Sequence, residues 1–103
     1  MSKVALFIRH RAQPGKREGV RRVWEKHVKP RATANPAHEA YYFCYDSDEP
    51  DAICVFQLYP SATELQEFLQ GAWYAEYLRE LGQFIAAPPQ ITPADLIWAK
   101  PLA

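Results

Sequence analysis

Two apolar runs in the middle of the chain, EAYYFCYD and AICVFQLY, place the strongest constraint on the fold. Both favour β-strands, and the polar stretch SDEPD between them predicts a hairpin that sets Cys44 opposite Cys54. Each strand then has two faces, and both are too apolar to lie against water. One layer of helices can cover only one face, so we expect a second sheet from another subunit on the other. The two predicted faces are Tyr42, Cys44, Ala52, Cys54, Phe56 and Leu58 on one side, and Tyr41, Phe43, Tyr45, Ile53, Val55, Gln57 and Tyr59 on the other.

The flanking segments predict two further strands and two helical regions. KVALFIRHR is apolar on both sides, which is typical of a central strand. An apolar stripe at helical spacing predicts a helix from Lys16, and Pro30 and NPA at 35–37 end this helix or its ragged last turn. Ser61 with Glu64 forms a capping-box pattern before a second helical region, in which Gly71 predicts a kink or a stop. ITPADLIWAK predicts a last strand at the edge of the sheet, because Pro93 cannot donate a ladder hydrogen bond. The order β-α-β-β-α-β is the ferredoxin-like arrangement of an α+β protein.

The composition is that of one domain over residues 1–103 with more apolar material than a small monomer can bury. The chain is 49% hydrophobic and 14% aromatic, which favours an oligomer. We expect a cytoplasmic protein without a membrane span, with Cys44 and Cys54 as reduced thiols. Ten of the twelve Lys and Arg residues lie in the first 31 positions, which allows a nucleic-acid surface, although a solvated helix face is the interpretation we favour. The run DAICVFQLY also lacks the basic residue and the glycine of an RNA-recognition strand, so we predict no nucleic-acid partner.

Most of the chain is similar to a known family. The segments QPGKRE, NPAHEAYYF, AICVFQLYPSATELQEFLQGAWYAEYLREL and the closing strand after PP resemble the antibiotic biosynthesis monooxygenase family. The resemblance implies a dimeric α+β barrel, that is, a homodimer of ferredoxin-like subunits packed sheet to sheet. It also implies cofactor-free oxygenation of phenols or quinols, or binding and degradation of haem.

Three positions depart from the pattern of that family. Gln57 stands where relatives commonly carry an acid two residues before an aromatic, and Phe68 and Trp73 stand where they often carry histidines. These departures weaken the expectation of catalysis more than that of the fold.

The candidate site residues are one base, one cation and a group of rings. His10 ends the first strand and has a side chain whose ordinary pKa suits a base, although a histidine bonded to backbone or water is an open alternative. Arg9 would help to stabilise an anion. Trp73 and Tyr77, four residues apart, share a helix face and predict an aromatic wall, or else ordinary core. The predicted substrate-binding residues are Trp73, Tyr77, Tyr42, His27 and Phe56, with His27 alternatively a core histidine and His38 an exposed loop residue.

These residues lead to one main hypothesis and two alternatives. The main hypothesis is a cofactor-independent monooxygenase that acts on a small aromatic compound and uses no metal. One alternative is a non-catalytic dimeric protein that binds a small apolar ligand. The other is a haem-binding relative, for which His10 and His27 are the candidate axial ligands. The predicted homodimer forms through the sheet face that carries Tyr41, Phe43, Tyr45, Val55 and Tyr59.

Overall fold

The computed structural model describes residues 3–100, which fold as a four-stranded sheet with four helices. The strands are β1 (Val4–Arg11), β2 (Ala40–Tyr45), β3 (Ala52–Tyr59) and β4 (Gln90–Asp95). The helices are α1 (Arg17–His27), α2 (Lys29–Ala34), α3 (Ala62–Leu69) and α4 (Ala72–Leu81). The predicted α+β class and ferredoxin-like order are confirmed, with each predicted helical region divided into two helices.

The sheet is antiparallel and has the strand order β2-β3-β1-β4. β1 is central, and Cys44 pairs with Cys54 in the hairpin, both as predicted. Pro93 pairs with Leu6 on the edge strand β4, where its missing N–H can face away from the sheet. β4 ends at Asp95, earlier than predicted, because Asp95 already pairs with Val4 at the start of β1.

Two helix boundaries differ from the sequence prediction. Pro30 does not end a helix but lies in the first turn of α2, where a proline removes no intrahelical hydrogen bond. Ser61 is the N-cap of α3 as predicted, but its hydroxyl donates to the Glu64 carboxylate and no side-chain bond caps the backbone. The chain therefore turns after His27 and continues as a second short helix.

One face of the sheet, here called the helix face, packs against the helices. It carries the even-numbered residues of β1 and the odd-numbered residues of β2, β3 and β4. Ile53 and Tyr59 on this face are completely buried, as are Val20 and Leu81 on the helices. The Trp24 ring stacks 4.2 Å from the Phe43 ring.

The predicted dimer face is wrong, because the helices cover it. The division of the hairpin into two faces is confirmed, but the face that was expected to meet a partner is the one that the helices cover. The residues concerned are Tyr41, Phe43, Tyr45, Val55 and Tyr59, all of which lie in or against the cores under the helices.

The opposite face, here called the open face, has no helix against it among the described residues. Its middle row is aromatic: Phe56 lies 5.2 Å from Phe7 and 5.9 Å from Tyr42, measured between ring centroids. Phe7 is 48% exposed and Tyr42 is 59% exposed, values that are high for large rings on the face of a sheet. The remaining side chains of β2 and β3 on this face are Ala40, Cys44, Ala52, Cys54 and Leu58.

Among residues 3–100, no helix combines the length and the apolar character that crossing a membrane requires.

Candidate functional site

A cavity of about 40 Å³ lies between the helix face of the sheet and the helices α3 and α4. Its floor comes from β1, β2 and β3, its roof from α3 and α4, and its rim from Leu78 and the segment that enters β4. Leu78 is 41% exposed and Ile91 is 50% exposed, so this rim faces solvent. The lining residues are Ile8, His10, Val28, Tyr41, Val55, Gln57, Phe68, Leu69, Trp73, Tyr74, Tyr77, Leu78, Leu81, Pro89 and Ile91.

His10 is the base that the cavity offers. The residue is 4% exposed, and burial lowers its pKa to about 4, so the imidazole is neutral at pH 7. Its Nδ1 is fully enclosed and has no hydrogen-bond partner in the part of the chain that the structure describes. Buried ring nitrogens are normally hydrogen-bonded, so an unpartnered one on a residue that lines the cavity makes His10 a candidate ligand-binding group.

Gln57 contributes an amide whose orientation is determined by its neighbours. Its Oε1 accepts from the Tyr59 hydroxyl and lies 3.1 Å from His38 Nε2. Asn35 Nδ2 lies 3.0 Å from His38 Nδ1 and donates to it, which leaves the proton of His38 on Nε2, directed at Gln57. With Oε1 occupied twice, the Nε2 hydrogens of Gln57 are the donors that a ligand in the cavity can use.

Tyr41 offers a second donor close to Gln57. The two residues are direct partners in the β2–β3 register. The Tyr41 hydroxyl accepts from Trp24 Nε1 at 2.9 Å, so its own proton can be donated to a ligand. Burial raises the pKa of Tyr41 to about 12, which the Trp24 bond opposes only in part, and the group stays a neutral phenol.

The base and the two donors lie at opposite ends of the cavity. Gln57 pairs with Leu6 and therefore lies four residues from His10 along β1, or about 14 Å between backbone positions at ~3.4 Å per residue. Ile8 and Val55 form the apolar row between them. A ligand that meets both ends must carry polar atoms on opposite sides of an apolar body.

Aromatic rings from α3 and α4 close the cavity. Trp73 lies 5.2 Å from Phe68, 5.5 Å from Tyr74 and 6.3 Å from Tyr77 between ring centroids. Burial raises the pKa of Tyr77 and of Tyr74, so both are neutral at physiological pH. The arrangement can hold a planar aromatic compound against edges and faces of these rings.

The structure brings together three of the predicted site residues and separates four. His10, Trp73 and Tyr77 line the cavity. Tyr42 and Phe56 lie on the open face, on the far side of the sheet, because their positions alternate with Tyr41 and Val55. Their predicted place in the same pocket as Trp73 is wrong.

Arg9 and His27 are engaged elsewhere. Arg9 also lies on the open face, where its Nη1 is 3.0 Å from Asp46 Oδ2 and 3.3 Å from Cys54 Sγ. His27 is 7% exposed and lies outside the cavity, with its Nε2 2.7 Å from Glu80 Oε2. It is therefore a satisfied core histidine, the alternative reading of its place in the apolar stripe. The contact with Glu80 engages the His27 Nε2 that could ligate a haem iron, and at His10 the cavity of about 40 Å³ is far smaller than a porphyrin.

Sequence reasoning missed Gln57, Tyr41 and His38 as site residues. Gln57 was detectable, since it is the one amide in the otherwise apolar run AICVFQLY. His38 was expected to be exposed, but it is half-buried, and its ring lies 4.4 Å from Phe68 and 4.5 Å from Tyr59. The His38 imidazole thus lies against Phe68. Phe68 is the position at which the family that this sequence resembles often carries a histidine.

Solved structures with this fold are known from several organisms. A protein of unknown function from Nitrosomonas europaea is 26% identical, with a TM-score of 0.82 over 100% of this chain and 97% of its own. A "putative antibiotic biosynthesis monooxygenase" from Caulobacter crescentus is 18% identical, with a TM-score of 0.85 over 94% of this chain and 92% of its own. The fold is that of proteins named as antibiotic biosynthesis monooxygenases.

A further structure of this fold, from Mycobacterium tuberculosis, is 25% identical, with a TM-score of 0.80 over 96% of this chain and 100% of its own. No protein-family model and no curated protein matches the sequence. The likeness of the structures confirms the resemblance of the sequence and the ferredoxin-like fold of the subunit. The activity has to be argued from the cavity itself.

Proposed function

We propose that this protein is a cofactor-independent monooxygenase of a quinol-type aromatic compound, bound in the cavity between the helices and the sheet. The observation that carries the proposal is the neutral, unpartnered imidazole of His10 in a cavity whose other polar groups are donors. A base at one end and anion-stabilising donors at the other are what the deprotonation of a phenol requires.

His10 would take the proton of one ring hydroxyl. Its pKa of about 4 reflects burial alone, and the negative charge of the phenolate formed beside it would offset that penalty by pairing with the imidazolium. Gln57 Nε2 and the Tyr41 hydroxyl would bind the oxygen on the far side of the ring. Two oxygens on opposite sides of one ring describe a quinol better than a simple phenol.

After deprotonation, the substrate itself reacts with O₂. A quinol and O₂ give a hydroxyquinone and one water, with one oxygen atom bonded to the ring and the other released in water. The quinol supplies all the electrons, so the protein has only to bind, deprotonate and exclude bulk water.

The test is oxygen uptake with 1,4-naphthoquinol and 2-naphthol, corrected for the rate without protein. We expect His10→Leu to lower kcat by about 10²–10⁴-fold, the range for loss of a general base. His27→Gln is the matched control, since His27 lies outside the cavity, and it should keep the wild-type rate. Saturable quenching of tryptophan fluorescence without any oxygen uptake would instead favour the non-catalytic binding protein.

We also propose that the protein is a homodimer and that the second copy covers the open face. Exposed rings support this interface, with Phe7 and Tyr42 in the sheet and the apolar Ile97 and Trp98 just after β4, which are 93% and 74% exposed. Proteins seldom leave such large apolar groups in water without a partner. Small residues beside the rings, such as Ala5, would allow close approach of a second sheet.

Light scattering at micromolar concentration should give twice the mass of the 11.9 kDa chain. Phe7→Asp should reduce it to the monomer mass and raise the reactivity of the Cys44 thiol toward maleimide, because Cys44 lies on the same face. A monomer mass for the unmodified protein would exclude this dimer.

A further inference from the structure

Trp73 and Phe68 form a wall between the inner cavity and a shallow groove on the outer surface. These two are the residues that line both spaces in the described part of the chain. The outer groove is lined in addition by Arg31, Ala34, Asn35, Pro36, Glu67 and Gly71. Removing the indole from this wall would connect the groove with the cavity beside Tyr77.

Several weak contacts hold the indole at this place. On its outer side the Arg31 guanidinium carbon lies 4.8 Å from the ring centre, a cation–π contact at an exposed site. On its inner side the rings of Phe68 and Tyr74 meet it edge to face. Such contacts are individually modest, so the closed position can exchange with others.

The Trp73 indole packs directly against the backbone of Gly71. A Cβ at this position would collide with Nε1 and Cδ1 of Trp73. The backbone of Gly71, at φ −64° and ψ 145°, is one that any residue can adopt. What glycine supplies here is space for the indole and not an unusual conformation.

The closed cavity is too small for an aromatic substrate. Its volume is about 40 Å³, whereas an apolar cavity that takes up benzene measures about 150 Å³. Even a single ring therefore requires a wall to move. Trp73 and Phe68 are the wall residues that also border the groove, and of these two it is Trp73 that packs on a glycine, Gly71.

We propose that Trp73 is the gate and the specificity-determining side chain of this site. When the indole moves away from Gly71, the cavity and the groove become one space. This space takes a two-ring aromatic compound, with one ring beside Tyr77 and the second beside Arg31. The ligand class rests on the proposed function, whereas the movement of Trp73 does not.

The variant Gly71→Ala tests the gate because it displaces the indole and removes no ring. Gly82→Ala is the matched control: it also adds one methyl at an end of α4, where the new Cβ would meet only carbonyl oxygens at 3.4 Å and beyond. With 5-fluorotryptophan in the three Trp positions, the ¹⁹F resonance of Trp73 is assigned by its loss in Trp73→Phe. Gly71→Ala should shift this resonance and lower the Kd for 2-naphthol about tenfold, since the open form no longer has to be selected from a minor population. Gly82→Ala should change neither.

Arg31→Gln is the second variant and carries the test if Gly71→Ala does not fold. It should shift the Trp73 resonance, because the indole loses its cation–π contact, and it should change the Kd for 2-naphthol more than that for the one-ring compound phenol, which does not reach the groove. In either variant, a displaced Trp73 resonance with an unchanged Kd for 2-naphthol would overturn the gate. A Trp73 resonance that does not shift would overturn it as well. Absence of naphthol binding to every variant would overturn the joined site. Oxygen uptake in the same samples separates the two proposals, because naphthol can bind through the gate without being oxidised.

Discussion

The two faces of the sheet have similar apolar compositions, but their side chains differ in exposure to solvent. On the helix face, Ile53 and Val55 are at most 3% exposed under the helices, while on the open face Phe7 and Tyr42 are about half exposed. Hydrophobicity alone therefore does not determine which face the helices cover. The helices pack on the face that carries Ile53 and Val55, and the other face has no helix against it in the described part of the chain.

The polar groups distinguish the two faces more clearly than the apolar ones. Arg9 on the open face is paired with Asp46, and hydrogen bonds from the backbone of Glu49 and Asp48, with the Arg9 contact, lower the pKa of Asp46 to about 2. His10 on the helix face is enclosed and has a free nitrogen. A satisfied ion pair is what a structural surface needs, whereas an unsatisfied imidazole in a cavity is typical of a binding site.

The largest expected difference between the faces is in the response to truncation. Ile53→Ala should lower the free energy of unfolding by about 2–5 kcal/mol, because it leaves a cavity in the core under the helices. Cys54→Ala, the next residue but on the open face, should cost less than about 1 kcal/mol in the monomer. Urea unfolding of both variants in the Phe7→Asp background measures the two losses of unfolding free energy without a contribution from the proposed dimer. Equal losses would contradict the assignment of the faces.

The second difference is in the response to pH. His10 has a folded pKa of about 4 and an unfolded value of 6.5, so between these values the unfolded chain binds the extra proton. Stability is therefore complete above pH 6.5 and falls by about 3 kcal/mol as the pH drops to 4. The Asp46 carboxylate on the open face acts only at lower pH, between 3.8 and about 2.

Urea unfolding of wild type and His10→Leu from pH 7.0 to pH 4.5 isolates this effect. Burial also lowers the pKa of His38, which adds a loss of the same sign, but that contribution is common to both proteins. We expect the wild type to lose more stability than the variant over this interval. Parallel curves would mean that His10 is not buried in the neutral form.

Local sequence patterns were sufficient for the elements and for the hairpin. Turn residues and alternation placed Cys44 opposite Cys54, and Pro93 identified an edge strand. The side of the sheet on which the helices lie could not be obtained in this way. It depends on the pairing of β1 with β3, in which His10 meets Ile53, and this contact joins strands that are far apart in the chain.

The candidate site was only partly predictable for the same reason. His10, Trp73 and Tyr77 carry local signals, a strand end and a helix face, and they line the cavity. Their roles remain predictions. The contact of His38 with Gln57 has no local signal, since it depends on the path of the loop after α2. Tyr42 and Phe56 were assigned to the cavity, but they alternate with Tyr41 and Val55 along β2 and β3 and therefore lie on the open face.

The smallest expected difference concerns one hydroxyl on each face. Tyr59→Phe removes a buried donor to Gln57 Oε1 and should cost about 1 kcal/mol of unfolding free energy, the usual net value of a hydrogen bond. Tyr42→Phe removes a hydroxyl that has no bond to another described residue, and it should have no measurable effect on the monomer. The kinetics sharpen the comparison: with one of its two fixing bonds lost, the Gln57 amide can turn, so Tyr59→Phe should lower kcat about tenfold or less with little change in KM. If Tyr59→Phe changes stability alone, then Gln57 is part of the core and Tyr41 is the donor that remains for the substrate oxygen.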